Sequence, residues 1–460
     1  MASTIAHHDT TALAGQIVGP VLTPGEPGYD DEVAGFNIAH RPAPAVVIGA
    51  TSAADISASL CWANQRGLQV RSQATGHGLT NDLAGTVLIS TRRLTQLEVD
   101  PQTRAARIGA GVRWRAVIDA AAPHGLAPLN GSSSNVGVVG YTLGGGIGPM
   151  ARRYGFAADH VRALTVVTAD GEIRTVRAEQ HSDLFWAVRG GKIGFGVVTD
   201  IEIDLVPVSS FFGGGIFFPG ASAADVLQAW RLWAPTLPVE ATTSVALLRL
   251  PPDPQLPPPL QGQFVVHLRY THLGAADEAA ALLAPMRETA PILFDTIAEL
   301  PYAAIDAVHM DPTSPMPAYD RGISLREFPA EAVDRLVASN GAESGSALTL
   351  TEVRLLGGAL AAPPVVPNAV AGRHAAFAVY VLGVPAGPVA AQIPAQVKGV
   401  TDALEDWRDG ALLNFLGHAD PGELRTLWSA ADRRRLLQTA RRYDPRDTFG
   451  GSSVFSPAAP

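Results

Sequence analysis

The chain has 460 residues, enough for two or three domains with a substantial core. A formal net charge of −9 and the lack of any Lys/Arg run argue against nucleic-acid binding as the main task, and no segment approaches the roughly 18 to 20 uninterrupted apolar residues of a membrane span. The N-terminus shows no basic segment followed by an apolar one, so a cytoplasmic enzyme is the default expectation; a single cysteine, Cys61, excludes an internal disulfide and a cysteine metal cluster.

Ser52 reads as an N-cap with Asp55 three residues on, and Ile56, Leu60 and Ala63 recur at helical spacing up to Gly67. Cys61 falls on this helix and reads as a small core residue. Residues 68–70 read as a short buried strand. It leads into VRSQATGHGLTND (70–82), where His77 stands on a tight turn between Gly76 and Gly78. Strands are expected at 87–89 and 105–112, then an amphipathic helix marked by Trp114, Val117, Ile118 and Ala121 that stops at Gly125. Next comes GSSSNVGVVGYTLGGGIG (131–148), whose glycines at 137, 140, 144, 145, 146 and 148 fit a flat, phosphate-bearing cofactor held by backbone N–H groups. Residues 164–167 and 173–176 flank Ala169-Asp170-Gly171 as a hairpin, and 197–206 alternates like a half-solvated strand. The pattern is α+β with hairpins.

Neither common nucleotide signature fits. The run Gly144-Gly145-Gly146-Ile147-Gly148 lacks the G-x-G-x-x-G spacing, and Arg189-Gly190-Gly191-Lys192 lacks both P-loop spacing and a following Ser or Thr. No metal site is expected.

Six ordered blocks do resemble a family: VRSQATGHG (70–78), NVGVVGYTLGGGIG (135–148), RRYGFAADHV (152–161), VVTADGEI (166–173), DLFWAVRGGKIGFGVVT (183–199) and RRYDPRDTF (441–449). A weaker block is RLLGGAL (354–360) followed by PNAVAGRHA (367–375). In this order they are similar to the FAD-linked oxidases of the vanillyl-alcohol-oxidase/PCMH superfamily, in the berberine-bridge-enzyme-like branch with its bacterial, singly attached hydroxynicotine-oxidase type. The resemblance implies a PCMH-type FAD-binding domain of two small α/β subdomains over 1–210. A substrate domain over 211–413 would hold a large antiparallel sheet flanked by helices, and 414–460 would return to the FAD domain. It implies FAD contacts from Arg71, Ser72, Ala74, Thr75, Gly76, His77, Gly78, Ser133, Val136, Gly137, Gly140, Tyr141, Gly144, Gly145, Gly146, Gly148, Gly196 and Val198.

The family bonds the histidine matching His77 to a flavin methyl group, and a neutral imidazole is a competent nucleophile for that. Ser133 replaces the cysteine that makes a second bond in many relatives, so attachment through His77 alone is implied. Tyr141 would donate to the flavin C2 carbonyl, or pack under the ring with its hydroxyl in water. Val136 matches a site that gates oxygen. The chain departs from the family at Ile193-Gly194 and at Ala74-Thr75, which affects local loop geometry.

In the middle of the chain, apolar strands at 245–248, 264–270, 348–356 and 376–382 alternate with Ala-rich helices. His267, Arg269, Glu352, Arg354 and Tyr380 sit on such strands, and alternation is expected to send some inward and some outward. A tyrosine that plant relatives use near Asn414 is absent. The remaining catalytic candidates are Tyr141, Glu352, Tyr380 and Asn414, with a solvated or structural role the commoner reading for each. The implied reaction is hydride transfer from a small organic substrate to flavin N5, with O2 reoxidising the flavin to give H2O2. The alternatives are a dehydrogenase with another acceptor and a non-redox cyclase on a flavoprotein scaffold.

Overall fold

The computed structural model describes residues 9–39, 41–78, 83–418 and 421–456; residues 79–82, the end of the histidine-bearing segment, lie outside these. Among the described residues the strands form three sheets.

The first is built from β1 (Val21–Leu22), β2 (Val46–Gly49), β3 (Val70–Gln73) and β4 (Val87–Ser90), in the order β1-β2-β4-β3. β4 pairs in parallel with both β2 and β3, and the apolar runs of β2 and β4 are buried throughout, as a parallel strand covered on both faces requires. The helix Ala53–Gln65 makes the crossover between β2 and β3, and the Ser52 side chain caps it by accepting from the Asp55 N–H at 3.1 Å. The strand expected at 68–70 starts two residues later. Leu68 N–H still bonds the helix carbonyl of Ala63, and Val70 N–H is taken by the carbonyl of Thr448, so the tail of the chain completes this edge. Cys61 is exposed, not in the core: it lies on the outer face of the helix, beside the turn at Gly171.

The second sheet contains β5 (Leu97–Asp100), β6 (Ala105–Gly109), β7 (Val161–Val167), β8 (Ile173–Arg177) and β9 (Val197–Asp204), ordered β5-β6-β9-β7-β8. The expected hairpin is present, with Val167 opposite Ile173. β9 alternates buried and half-exposed along its second half.

The third sheet is antiparallel, with β10 (Ser210–Pro219), β11 (Ala241–Arg249), β12 (Phe264–His272), β13 (Phe294–Asp295), β14 (Ala298–Pro301), β15 (Tyr319–Leu325), β16 (Leu350–Leu355) and β17 (Phe377–Gly383). Its main order is β13-β10-β12-β11-β16-β17-β15, with β14 also on β10. One face is apolar. Ile216, Val245, Leu268, Ile323, Val353 and Val379 are buried there against Trp230, Leu283, Leu336 and Val397 from the helices Ala223–Trp233, Ala276–Arg287, Ala330–Asn340 and Ile393–Ala403. Each such branched side chain removed from water contributes about 1.5–3 kcal/mol. The opposite face is polar and looks toward residues 144–156. No helix among the described residues is long and apolar enough to cross a membrane.

Arg152 fastens that segment to the third sheet. Its buried guanidinium donates to the carbonyls of Leu356 (3.1 Å), Pro238 (3.0 Å), Ala241 (2.6 Å) and Leu237 (3.2 Å). Replacing it by leucine leaves these carbonyls dry, and the expected loss is about 3 kcal/mol or more in urea-denaturation stability. A variant as stable as the parent would show that water reaches them.

Candidate active site

β3 ends in the turn that presents His77. Gly76 has φ of +67°, and a Cβ added to it would stand 2.5 Å from the Cα of Gly35, so the turn needs glycine for both conformation and contact. The Phe36 and Asn37 N–H groups donate to the carbonyls of Thr75 (2.9 Å) and Gly76 (3.2 Å) and hold the turn. The half-buried His77 ring stacks on Phe36 with centroids 4.1 Å apart, and its Nδ1 lies 2.8 Å from the Thr75 hydroxyl. Burial, with the charge of Arg113, pulls its pKa from 6.5 down to about 4, so the imidazole is neutral near pH 7. Phe36 and Arg113 are partners that the spacing of the motif does not reveal.

The second loop meets the first at Gly137. A Cβ there would stand 3.3 Å from Thr75 Cγ2 and 3.8 Å from Ala74 Cβ. Asp306 ties this loop down, accepting from the Ser134 N–H (2.8 Å), the Ser134 hydroxyl (2.5 Å) and Arg115 Nη2 (2.6 Å). Ser133 Oγ accepts from Asn135 N–H at 3.3 Å, and the Val136 carbonyl accepts from Trp114 N–H at 3.1 Å. The helix Val138–Leu143 follows and packs against β9, the strand that carries Val198 and that directly follows Gly196.

Much of the glycine density has a packing cause. Gly131 and Gly146 flank the Tyr141 ring: their added Cβ atoms would stand 2.8 Å from Cε2 and 2.5 Å from Cε1. A Cβ on Gly144 would strike the Asn414 side chain, and one on Gly148 the carbonyl of Asn130, while Gly145 (φ +108°) lies against Phe156 and Val370. Among the described residues, a Cβ on Gly78 or Gly140 would meet nothing within 4 Å, unlike one on the other glycines of the two loops. The Tyr141 hydroxyl is sealed from solvent and has no hydrogen-bond partner among the described residues, and burial pushes the phenol far above its ordinary pKa. It stays a protonated donor. Arg71 and Ser72 lie on β3, where Gly450 leaves room for the Arg71 guanidinium.

Asn414 joins three segments. Its Nδ2 donates to the Tyr141 carbonyl at 2.7 Å and its Oδ1 accepts from Lys192 Nζ at 3.3 Å. Lys192 has φ of +57°, and burial lowers its pKa from 10.5 to about 8. The segment that imitates a P-loop in sequence thus delivers an ammonium to the glycine-rich loop.

Above them is the polar face of the third sheet. Register puts Phe217, His267, Ala246, Glu352, Tyr380 and Gly322 in one cross-strand row, and Gly215, Arg269, Ser244, Arg354, Ala378 and Ser324 in the next. His267, Arg269, Glu352, Arg354 and Tyr380 therefore all share one face, in place of the expected division between inward and outward. Residues two apart on one strand, or directly opposite on neighbouring strands, point the same way. Glu352 is buried between Arg269 (2.9 Å) and Arg354 (3.0 Å), and these charges hold its carboxyl far below the usual range, which makes it a poor base. The Tyr380 hydroxyl donates to Asp320 at 2.8 Å, and its ring meets Phe415 edge-on.

Gly131→Ala is expected to lose about 1–3 kcal/mol of stability through the clash with Tyr141. The loss should shrink in a Tyr141→Ala background, as measured by a double-mutant cycle. Additive losses would contradict a shared slot.

Residues 44–177 match an FAD binding domain. Over 193 residues the chain is 34% identical to (R)-6-hydroxynicotine oxidase of Paenarthrobacter nicotinovorans, covering 41% of this chain and 42% of that protein. The match thus spans less than half of that curated relative. Across the whole chain, the crystal structure of 6-hydroxy-D-nicotine oxidase from Arthrobacter nicotinovorans superposes with a TM-score of 0.82 at 24% identity, covering 98% of both chains. BBE-like 1 of Physcomitrella patens superposes with a TM-score of 0.82 at 18% identity, over 100% of both. The chain thus carries an FAD binding domain in its first half and shares its fold from end to end with 6-hydroxy-D-nicotine oxidase and BBE-like 1.

Proposed function

We infer that the chain is an FAD-dependent oxidoreductase acting on a small organic substrate, with O2 as the electron acceptor and FAD attached through His77 alone. The observation that supports this most is the junction of the two loops. The neutral His77, the unpartnered Tyr141 hydroxyl and the open backbone at Gly78 and Gly140 lie on segments that touch at Thr75 and Gly137. A buried hydroxyl without a partner is costly unless a ligand completes it. These residues fit a flavin.

When bound, FAD supplies the hydride acceptor and the reaction with O2. The chain's own residues hold and orient it. His77 offers a neutral ring nitrogen, Tyr141 offers an O–H donor, and Lys192 with Asn414 places positive charge beside the glycine-rich loop. Ser133 gives no thiolate, which supports single attachment. Residues 1–210 with 414–460 serve as the cofactor unit, and 211–413 as the substrate unit, in this reading. The polar face of the third sheet would receive the substrate. Glu352 is not assigned as base, because two arginines hold it ionised.

The test is reoxidation. Flavin photoreduced without oxygen, with EDTA as the electron donor, should recover its oxidised spectrum on mixing with air-saturated buffer and release an equivalent of peroxide. A reduced flavin that persists in air would overturn the oxidase reading and favour a dehydrogenase.

A further inference from the structure

Between Gly148–Pro149 and the polar face of the third sheet is a small, partly open pocket walled by Thr242, Ser244, Arg269, Thr271, His309 and Arg354 among others. Its hydrogen-bond inventory is one-sided. Arg269 Nη1 donates to Glu352 at 2.9 Å, and Arg354 Nη2 reaches both Glu352 oxygens at 3.1 and 3.0 Å. One carboxylate therefore serves two guanidinium groups.

The same arginines set the histidine tautomers. Arg354 Nη2 lies 3.3 Å from His309 Nε2, and Arg269 Nε lies 3.2 Å from His267 Nδ1. A guanidinium only donates, so those ring nitrogens accept and the protons sit on His309 Nδ1 and His267 Nε2. Both of these atoms are buried without a partner among the described residues. Burial and the flanking arginines keep both rings neutral. The Thr271 hydroxyl is already spent on the Pro149 carbonyl at 2.7 Å. Asp311, hydrogen-bonded to Ser132 of the glycine-rich loop, faces the same cluster, and burial raises its carboxyl toward the protonated form. Two guanidinium groups sharing one carboxylate, with the two histidine N–H groups, leave the cluster with an excess of donors.

A donor surplus of this kind is expensive to bury and matches a ligand that brings acceptors and negative charge. We propose that the pocket takes a substrate bearing a carboxylate, which Arg354, Arg269 and the His309 Nδ1–H hold against the glycine-rich loop. This deepens the oxidoreductase reading and rests on the sheet face being its substrate side. A planar carboxylate suits the paired donors of a guanidinium better than a neutral alcohol or amine does.

The experiment titrates the purified holoprotein with benzoate and with its neutral isostere benzamide, following thermal stability and flavin absorbance. The proposal predicts that benzoate binds at least about tenfold more tightly than benzamide. Arg354→Gln should abolish that preference while leaving the weak benzamide response in place. Glu352→Gln, which frees both arginines, should strengthen benzoate binding. Should Arg354→Gln fail to fold, Arg269→Gln reads the same loss. Equal affinities, no benzoate response, or a preference that survives the arginine variants would overturn the proposal. So would arginine variants that change only the resting flavin spectrum, since the guanidinium groups would then serve the cofactor. A preparation without flavin would defeat the cofactor reading separately, because the thermal shifts still report the carboxylate preference.

Discussion

The arrangement depends on how closely residues 130–150 can be pressed between the second sheet and the polar face of the third. That closeness is a backbone property. The Tyr141 ring fits between Gly131 and Gly146, Asn414 fits over Gly144, and the Asn130 carbonyl fits against Gly148, in each case where a Cβ would stand. At native packing density there is no slack to absorb a methyl group at such contacts. The loop can therefore hold a phenol, an amide and a lysine ammonium in fixed relation only while those glycines remain.

Around this loop the chain uses burial to set protonation states. His77 is held neutral, Tyr141 is held protonated, and Glu352 is held ionised by two arginines. The causes differ: desolvation acts on the first two, opposed only weakly or reinforced by nearby arginines, while paired charge overcomes desolvation at Glu352. A site assembled this way sets one neutral ring on the turn of the first loop and an arginine-lined, donor-rich wall on the facing sheet. The two are joined by Asp306 and Asn414, which anchor the loop from the far half of the chain.

Much of this was legible in the amino-acid sequence where the signal was local. The Ser52 cap, the 169–171 hairpin, the amphipathic helix from Trp114 and the half-solvated strand at 197–204 all follow from period and turn chemistry within a few residues. β10 was hidden by Gly213-Gly214-Gly215, which depress strand propensity; Gly215 is there to make room for the His267 ring on β12, a contact invisible along the chain. The shared face of His267, Arg269, Glu352, Arg354 and Tyr380 needed the register between strands, which alternation along single strands does not supply. Cys61 misled because its helix is apolar on one side only, and Lys192 was set aside because its motif failed as a P-loop. The glycine density has a packing cause that spacing along the chain does not reveal: several of those glycines admit Tyr141 and Asn414, and fewer leave backbone open.

The measurement that tests the central claim most directly is acid precipitation of the purified protein, asking whether the yellow chromophore follows the pellet or the supernatant. FAD bonded through His77 predicts colour in the pellet, lost to the supernatant in a His77→Ala variant. Colour in the supernatant from the parent protein would contradict the covalent bond, and a colourless preparation that takes up no FAD would contradict the cofactor itself.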